Sequence, residues 1–140
     1  MKKFTRNLFT ILLLVILLGG CTRQTEVAYI SEGEEYEKIK SISEPYAEHI
    51  LNGIAANDHL QFITDFDKTM VEAMDETQFA AIVKTYGKLG NPETIELVNI
   101  EDREAYYGVN YKVTYPNKTL IMLIVVDKYE PNLVSGLWFR

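Results

Sequence analysis

A chain of 140 residues with 47% hydrophobic and 11% aromatic content has the material for one folded domain with a real core, and too little length for two. Its net charge of −6 repels phosphate backbones, and no basic patch interleaved with aromatics offsets it, which excludes nucleic acid as a partner. A single cysteine excludes any internal disulfide framework.

The first twenty residues differ from the rest. Lys2, Lys3 and Arg6 form a basic start, and Leu8 to Leu18 follow with Thr10 as the one polar interruption. This pattern predicts a secretory signal segment over 1–20. Eleven helical residues reach roughly 16 Å against a hydrocarbon core of about 30 Å, so the run is too short for a comfortable permanent span.

Cys21 stands directly behind Leu18-Gly19-Gly20, and that order resembles the lipobox of bacterial lipoproteins. The resemblance implies peptidase recognition of Leu18, Gly19 and Gly20, cleavage before Cys21 and a diacylglycerol on its thiol. Small residues let an extended backbone enter a peptidase unobstructed. One acyl chain holds a protein only marginally, whereas two or more give a stable anchor in the bilayer. The competing reading is a plain signal peptide with a coincidental cysteine. Cleavage would remove three basic groups and no acids, leaving the exported part more acidic than the whole chain.

Residues 21–42 read as the lipidated cysteine and a polar tether, with Glu32, Glu34, Glu35 and Glu37 crowded around Gly33. Tyr36, Ile39 and Ile42, spaced by three, leave open an early helical start. The domain is expected over 43–140. Ser43-Glu44-Pro45 predicts a helix start, a capping serine followed by a proline in the first turn. Tyr46, Ala47, Ile50, Leu51 and Ile54 then form one apolar stripe to about Ala56. Asn57-Asp58 ends this helix and caps the next. Leu60 to Met74 keeps helical spacing with a break near Asp65, and Asp75 to Gln78 has the form of a capping box before Phe79, Ile82, Val83 and Tyr86. Gly87 or Gly90 closes that helix, and Pro92 forbids its continuation.

Beyond Pro92 the period becomes two. Thr94 to Glu101, Ala105 to Tyr115, Thr119 to Val126 and Leu133 to Phe139 read as four strands joined by short connections, hence antiparallel. The third is apolar on both faces, as a strand covered on both sides would be. The predicted class is α+β, with N-terminal helices packed on a four-stranded antiparallel sheet.

Several stretches resemble domain-of-unknown-function family 3887: Ala47 to Leu51 with Asn57-Asp58, Phe66 to Met70, Tyr86 to Gly90, and the closing Gly136-Leu137-Trp138-Phe139. The resemblance covers roughly Pro45 to Arg140. It implies the nuclear transport factor 2-like superfamily, in which a curved sheet wraps helices into a cone, and it implies no assigned activity. The loop from Asp127 to Asn132 departs from the tighter aspartate-glycine turn expected there.

Enzymes of that superfamily often place an aspartate and a histidine inside the cone, where a dry pocket can tune a general base. His49 and His59 read instead as surface or capping residues, and two histidines ten residues apart predict no metal site. Asp65 and Asp67 point to different sides of a helix, so one caps a break rather than joining a carboxylate dyad. Tyr107, Tyr111 and Tyr115 share one face of a strand and, joined by Trp138, could line a pocket for ring-bearing ligands. Core and cross-strand packing is the competing and favoured account of the same stripe.

The sequence thus predicts a lipid-anchored, extracytoplasmic protein without cofactor, whose domain binds a small ligand or an envelope protein. An enzyme using a polar group in the pocket, or an accessory subunit docking or dimerising through its sheet, are the alternatives.

Overall fold

The computed structural model describes residues 27–140, so Leu18, Gly19, Gly20 and Cys21 lie outside the described residues. The longest element is α1 (Glu34–Ala56), and it runs through Pro45 instead of starting there. An internal proline removes the hydrogen bond that would reach the carbonyl of Ser41 and costs about 3 kcal/mol. The helix persists because its buried face spans the break: Ile39 and Ser43 lie on one side, and Ala47, Ile50, Leu51 and Ile54 on the other. Tertiary burial overrides the local rule. Glu34, Glu35 and Glu37 occupy the first turn, where carboxylates offset the positive end of the helix dipole. The acid-rich run expected as tether is therefore, from Glu34 on, part of the fold.

Three short helices follow, each started by an aspartate whose carboxylate accepts a backbone N–H three residues on. Asp58 caps α2 (His59–Phe62), Asp67 caps α3 (Lys68–Ala73) and Asp75 caps α4 (Glu76–Tyr86). The expected break near Asp65 separates α2 from α3, and a single 3-10 turn, Gly87–Leu89, extends α4. Phe62, Phe66 and Phe79 from these segments meet at ring distances of 5.0 and 4.9 Å beneath α1.

The sheet has five strands, one more than the sequence predicts: β1 (Ala28–Ile30), β2 (Thr94–Asp102), β3 (Tyr106–Tyr115), β4 (Lys118–Asp127) and β5 (Val134–Phe139). They stand in chain order, every neighbouring pair antiparallel, and the sheet is open. The extra strand pairs Ala28, Tyr29 and Ile30 with Asp102, Glu101 and Ile100.

Alternation assigns the faces. Ile100, Val109, Tyr111, Val113, Met122, Ile124 and Val126 point to the helices and are buried. Their neighbours Glu101, Gly108, Asn110, Leu123 and Val125 point the other way. The helices thus cover one face only, and the apolar outer residues of β4 do not lie under a second layer among the described residues. Irregularities at Val98 in β2 and around Ser135 in β5 shift the register, so Val134 and Leu137, three apart, both reach the core. Asn132 makes the turn into β5 possible: it holds φ 58° and donates from Nδ2 to the carbonyls of Asp127 and Lys128 at 3.0 and 3.1 Å.

Candidate binding trough

The tyrosine stripe of β3 divides along its length. Tyr111 is 1% exposed and its hydroxyl lies 2.6 Å from Ser43 Oγ, so it is a core residue. Burial pushes its phenol well above the ordinary value. Tyr115 is buried as well. Tyr107 donates to Glu35 Oε1 at 2.6 Å, and the Lys128 ammonium, ion-paired with Asp102, sits 4.9 Å from its ring centroid. Its phenol is pushed up to about 12, first by desolvation and then by the hydrogen bond to the Glu35 carboxylate. The gap beside it, edged by Ile39, Lys128 and Asn132, has a volume of about 20 Å³. That holds about one water and no ring.

Trp138 does not join these tyrosines. It pairs with Leu123, whereas Met122, the partner of Tyr111, pairs with Phe139. The indole therefore projects from the outer face, and Phe139 takes the inner position, stacking on Tyr86 at 4.7 Å. The pocket expected from Tyr107, Tyr111 and Trp138 together does not form, because one residue of strand phase puts Trp138 on the opposite side of the sheet.

The outer face holds a different feature, a trough of about 360 Å³. Its floor follows from one cross-strand row, Glu101, Gly108 and Val125, which Gly136 continues beneath the Trp138 ring. At Gly136 a Cβ would come within 2.6 Å of the Trp138 ring, so the absence of a side chain lets the indole lie across the strand. At Gly108 a Cβ would meet Glu101 Oε2 at 3.1 Å and Leu123 at 3.4 Å. The bare backbone of Gly108 beside Val125 leaves the depression open between Trp138, 54% exposed, and Tyr106, 40% exposed.

The polar end is preorganised. Glu101 Oε2 accepts from Nε and Nη2 of Arg103 at 3.2 and 2.6 Å, and Glu101 Oε1 accepts from Nδ2 of Asn110 at 3.1 Å. Asn110 also donates to Asn99, which satisfies this nearly buried amide. The hydrogen bond to Glu101 raises the guanidinium of Arg103 above its ordinary value, so it stays charged. Arg140 closes the trough beyond Trp138, its backbone exchanging two 2.8 Å hydrogen bonds with Ile121. Tyr29, on β1, extends the aromatic border beside Glu101.

The histidines join separate segments. His59 Nε2 lies 2.7 Å from the carbonyl of Met74 and its ring packs on Phe79 at 5.1 Å, tying α2 to the end of α3. His49 Nδ1 lies 2.7 Å from Asp65 Oδ2, an association the sequence did not disclose. It links α1 to the segment whose Asp65 carbonyl accepts from Val134 N. Neither the trough nor the gap beside Tyr107 is lined by His49 or Asp65. Among the described residues no group of three His, Cys, Asp or Glu side chains converges on a metal-sized space, and no helix is long and apolar enough to cross a membrane.

No family model, no curated protein and no solved structure matches the chain. Of the trough residues, the sequence singled out Trp138 alone. Gly108 and Gly136 carried a signal, glycines inside otherwise apolar alternating strands, which marks close approach or a missing side chain with a purpose.

Proposed function

We propose that this chain is an extracytoplasmic lipoprotein, anchored in the bilayer through an acylated Cys21, whose domain binds a small ring-bearing molecule in the trough on the outer face of its sheet. The observation that carries the binding reading is the glycine-floored depression beside a half-exposed tryptophan. Gly136 seats the indole itself, and Gly108, which lines the trough, leaves a stretch of backbone without a side chain on which a flat ligand can rest. A volume of about 360 Å³ lies in the range of small-molecule sites. The arrangement of helices on an antiparallel sheet is compatible with the nuclear transport factor 2-like superfamily, which we retain as the proposed fold family, together with the resemblance to family 3887.

A second reading has its own support. Tyr29, Tyr106 and Trp138 all stand half-exposed on this face, the composition of a protein contact, so a second copy or an envelope protein is the competing occupant. Titrating small aromatic compounds into the full chain while following Trp138 emission separates the two. Saturable changes from a monomeric protein support the ligand; a defined dimer that shields Trp138 and ignores every compound supports the docking surface. Replacing Cys21 by Ser tests the anchor: the protein should move from the membrane fraction to the soluble one, and an unchanged distribution defeats the anchoring claim.

A further inference from the structure

The outer face of the sheet lies under no second layer among the described residues, and three aromatic side chains stand exposed on it: Tyr29 of β1, Tyr106 of β3 and Trp138 of β5. Between Tyr106 and Trp138 run the half-buried Leu123 and Val125 of β4. Tyrosine and tryptophan each combine an apolar body with a hydrogen-bonding tip, the chemistry that collects at a membrane–water boundary. An uncovered surface of this kind marks a contact with protein or with lipid. Two further observations favour lipid.

The first is where the chain enters the fold. It does so through β1, which is an edge of this same sheet and carries Tyr29. Trp138 on β5 stands four strand spacings away, about 19 Å. The six residues from Thr22 to Val27 span more than that when extended, so a lipid-held Cys21 leaves the full width of the face within reach of the bilayer. The second is the distribution of charge. The longest helix, α1, carries Glu34, Glu35, Glu37, Glu44 and Glu48 against Lys38 and Lys40. On the outer face Arg103, Lys112 and Arg140 offset Glu96, Glu101 and Asp127, leaving the α-carboxylate of Arg140 as the surplus. Anionic headgroups therefore repel the helical side more strongly than the sheet.

On the reading that Cys21 is acylated, we propose that the outer face of the sheet seats on the bilayer, with the rings of Tyr29, Tyr106 and Trp138 at the level of the lipid carbonyls. Tyr106 and Trp138 border the trough without filling it, so the depression lies open on the seated side.

Trp138 is the single tryptophan of the chain, so its emission reports on this face alone. The full acylated chain is reconstituted with vesicles of phosphatidylcholine and phosphatidylglycerol, with and without bromine on the acyl chains near the carbonyls, and flotation is measured beside emission. Seating predicts flotation with the vesicles, loss of Trp138 emission in the brominated ones, and protection from acrylamide relative to the Cys21→Ser chain in buffer. Flotation with emission that ignores bromine and stays open to acrylamide overturns the seating and leaves the anchor standing. Flotation with protection from acrylamide but no loss to bromine, together with a cross-linked dimer, gives the face to a second copy and overturns the seating as well. A chain that does not float overturns the anchor, and the seating that rests on it falls with it.

Discussion

Ser43 Oγ and Tyr111 Oη lie 2.6 Å apart, joining the helix turn just before Pro45 to the middle of the sheet across 68 residues of sequence. Both residues are buried; the Tyr111 hydroxyl is satisfied by Ser43, which also reaches the Lys40 carbonyl at 3.5 Å. The proline-bearing helix is fastened to the sheet where its own hydrogen-bond ladder is interrupted.

Tyr111→Phe and Ser43→Ala should each destabilise the fold by about 1–2 kcal/mol, because each removes one partner of a buried pair. The double variant should cost less than the sum of the two, as expected for a shared interaction. Urea unfolding of the four proteins provides the cycle, and strict additivity would mean the two hydroxyls act independently.

Alkaline pH should unfold the protein through its tyrosines. Tyr107 and Tyr111 have folded pKa values above the ordinary 10.0, so the folded state holds protons that the unfolded state releases. Stability is then fully present below pH about 10 and falls as pH rises from there through the folded value of Tyr107, about 12. Tyr111→Phe should flatten this decline when the transition midpoint is followed by circular dichroism, and an unchanged slope would contradict the burial assigned to Tyr111.

Asn132→Ala should cost about 2 kcal/mol: a β-carbon is disfavoured at φ 58°, and two carbonyls lose their Nδ2 donor. Asn132→Gly keeps the backbone and loses only the bonds, so its thermal midpoint should fall between those of wild type and Asn132→Ala. The reverse order would show that side-chain bonding, not backbone conformation, governs this turn.

Gly136→Ala should displace the indole of Trp138, since the new methyl meets Cζ3 at 2.6 Å. A shifted emission maximum with a thermal midpoint lowered only modestly is the expected signature, as the ring end can swing toward solvent. An unaltered spectrum would mean that the indole does not rest on this glycine.

His49→Gln should lower stability by less than about 1 kcal/mol, because the link to Asp65 is partly open to solvent. A larger loss in thermal denaturation would mark the pair as a principal support for the segment before β5.

Local chemistry was readable in the sequence and non-local pairing was not. Asp58 and Asp75 were legible as caps because a cap involves only the next three residues. The shared face of Tyr107, Tyr111 and Tyr115 gave the inner face of β3 correctly. Pro45 misled, since its local preference for a first turn yielded to the burial of Ile39 and Ser43 ahead of it. The strand Ala28–Ile30 escaped because three residues form a strand only by virtue of β2 beside them. Trp138 was assigned to the wrong side for a related reason: its phase relative to Tyr111 depends on pairing across β4 and on the irregularity near Ser135, neither of which is written in the residues of β5. The trough was hidden with it, being assembled from four strands at once.

Were Cys21 acylated as proposed, the pairing of Ala28 with Asp102 would fix how far the domain can roam. Six residues separate Cys21 from Ala28, a leash of at most about 25 Å when drawn out straight. A body fastened at Cys21 would graze the headgroups instead of sweeping the space above them, and it would sample molecules arriving at or leaving the lipid surface in preference to those in the bulk.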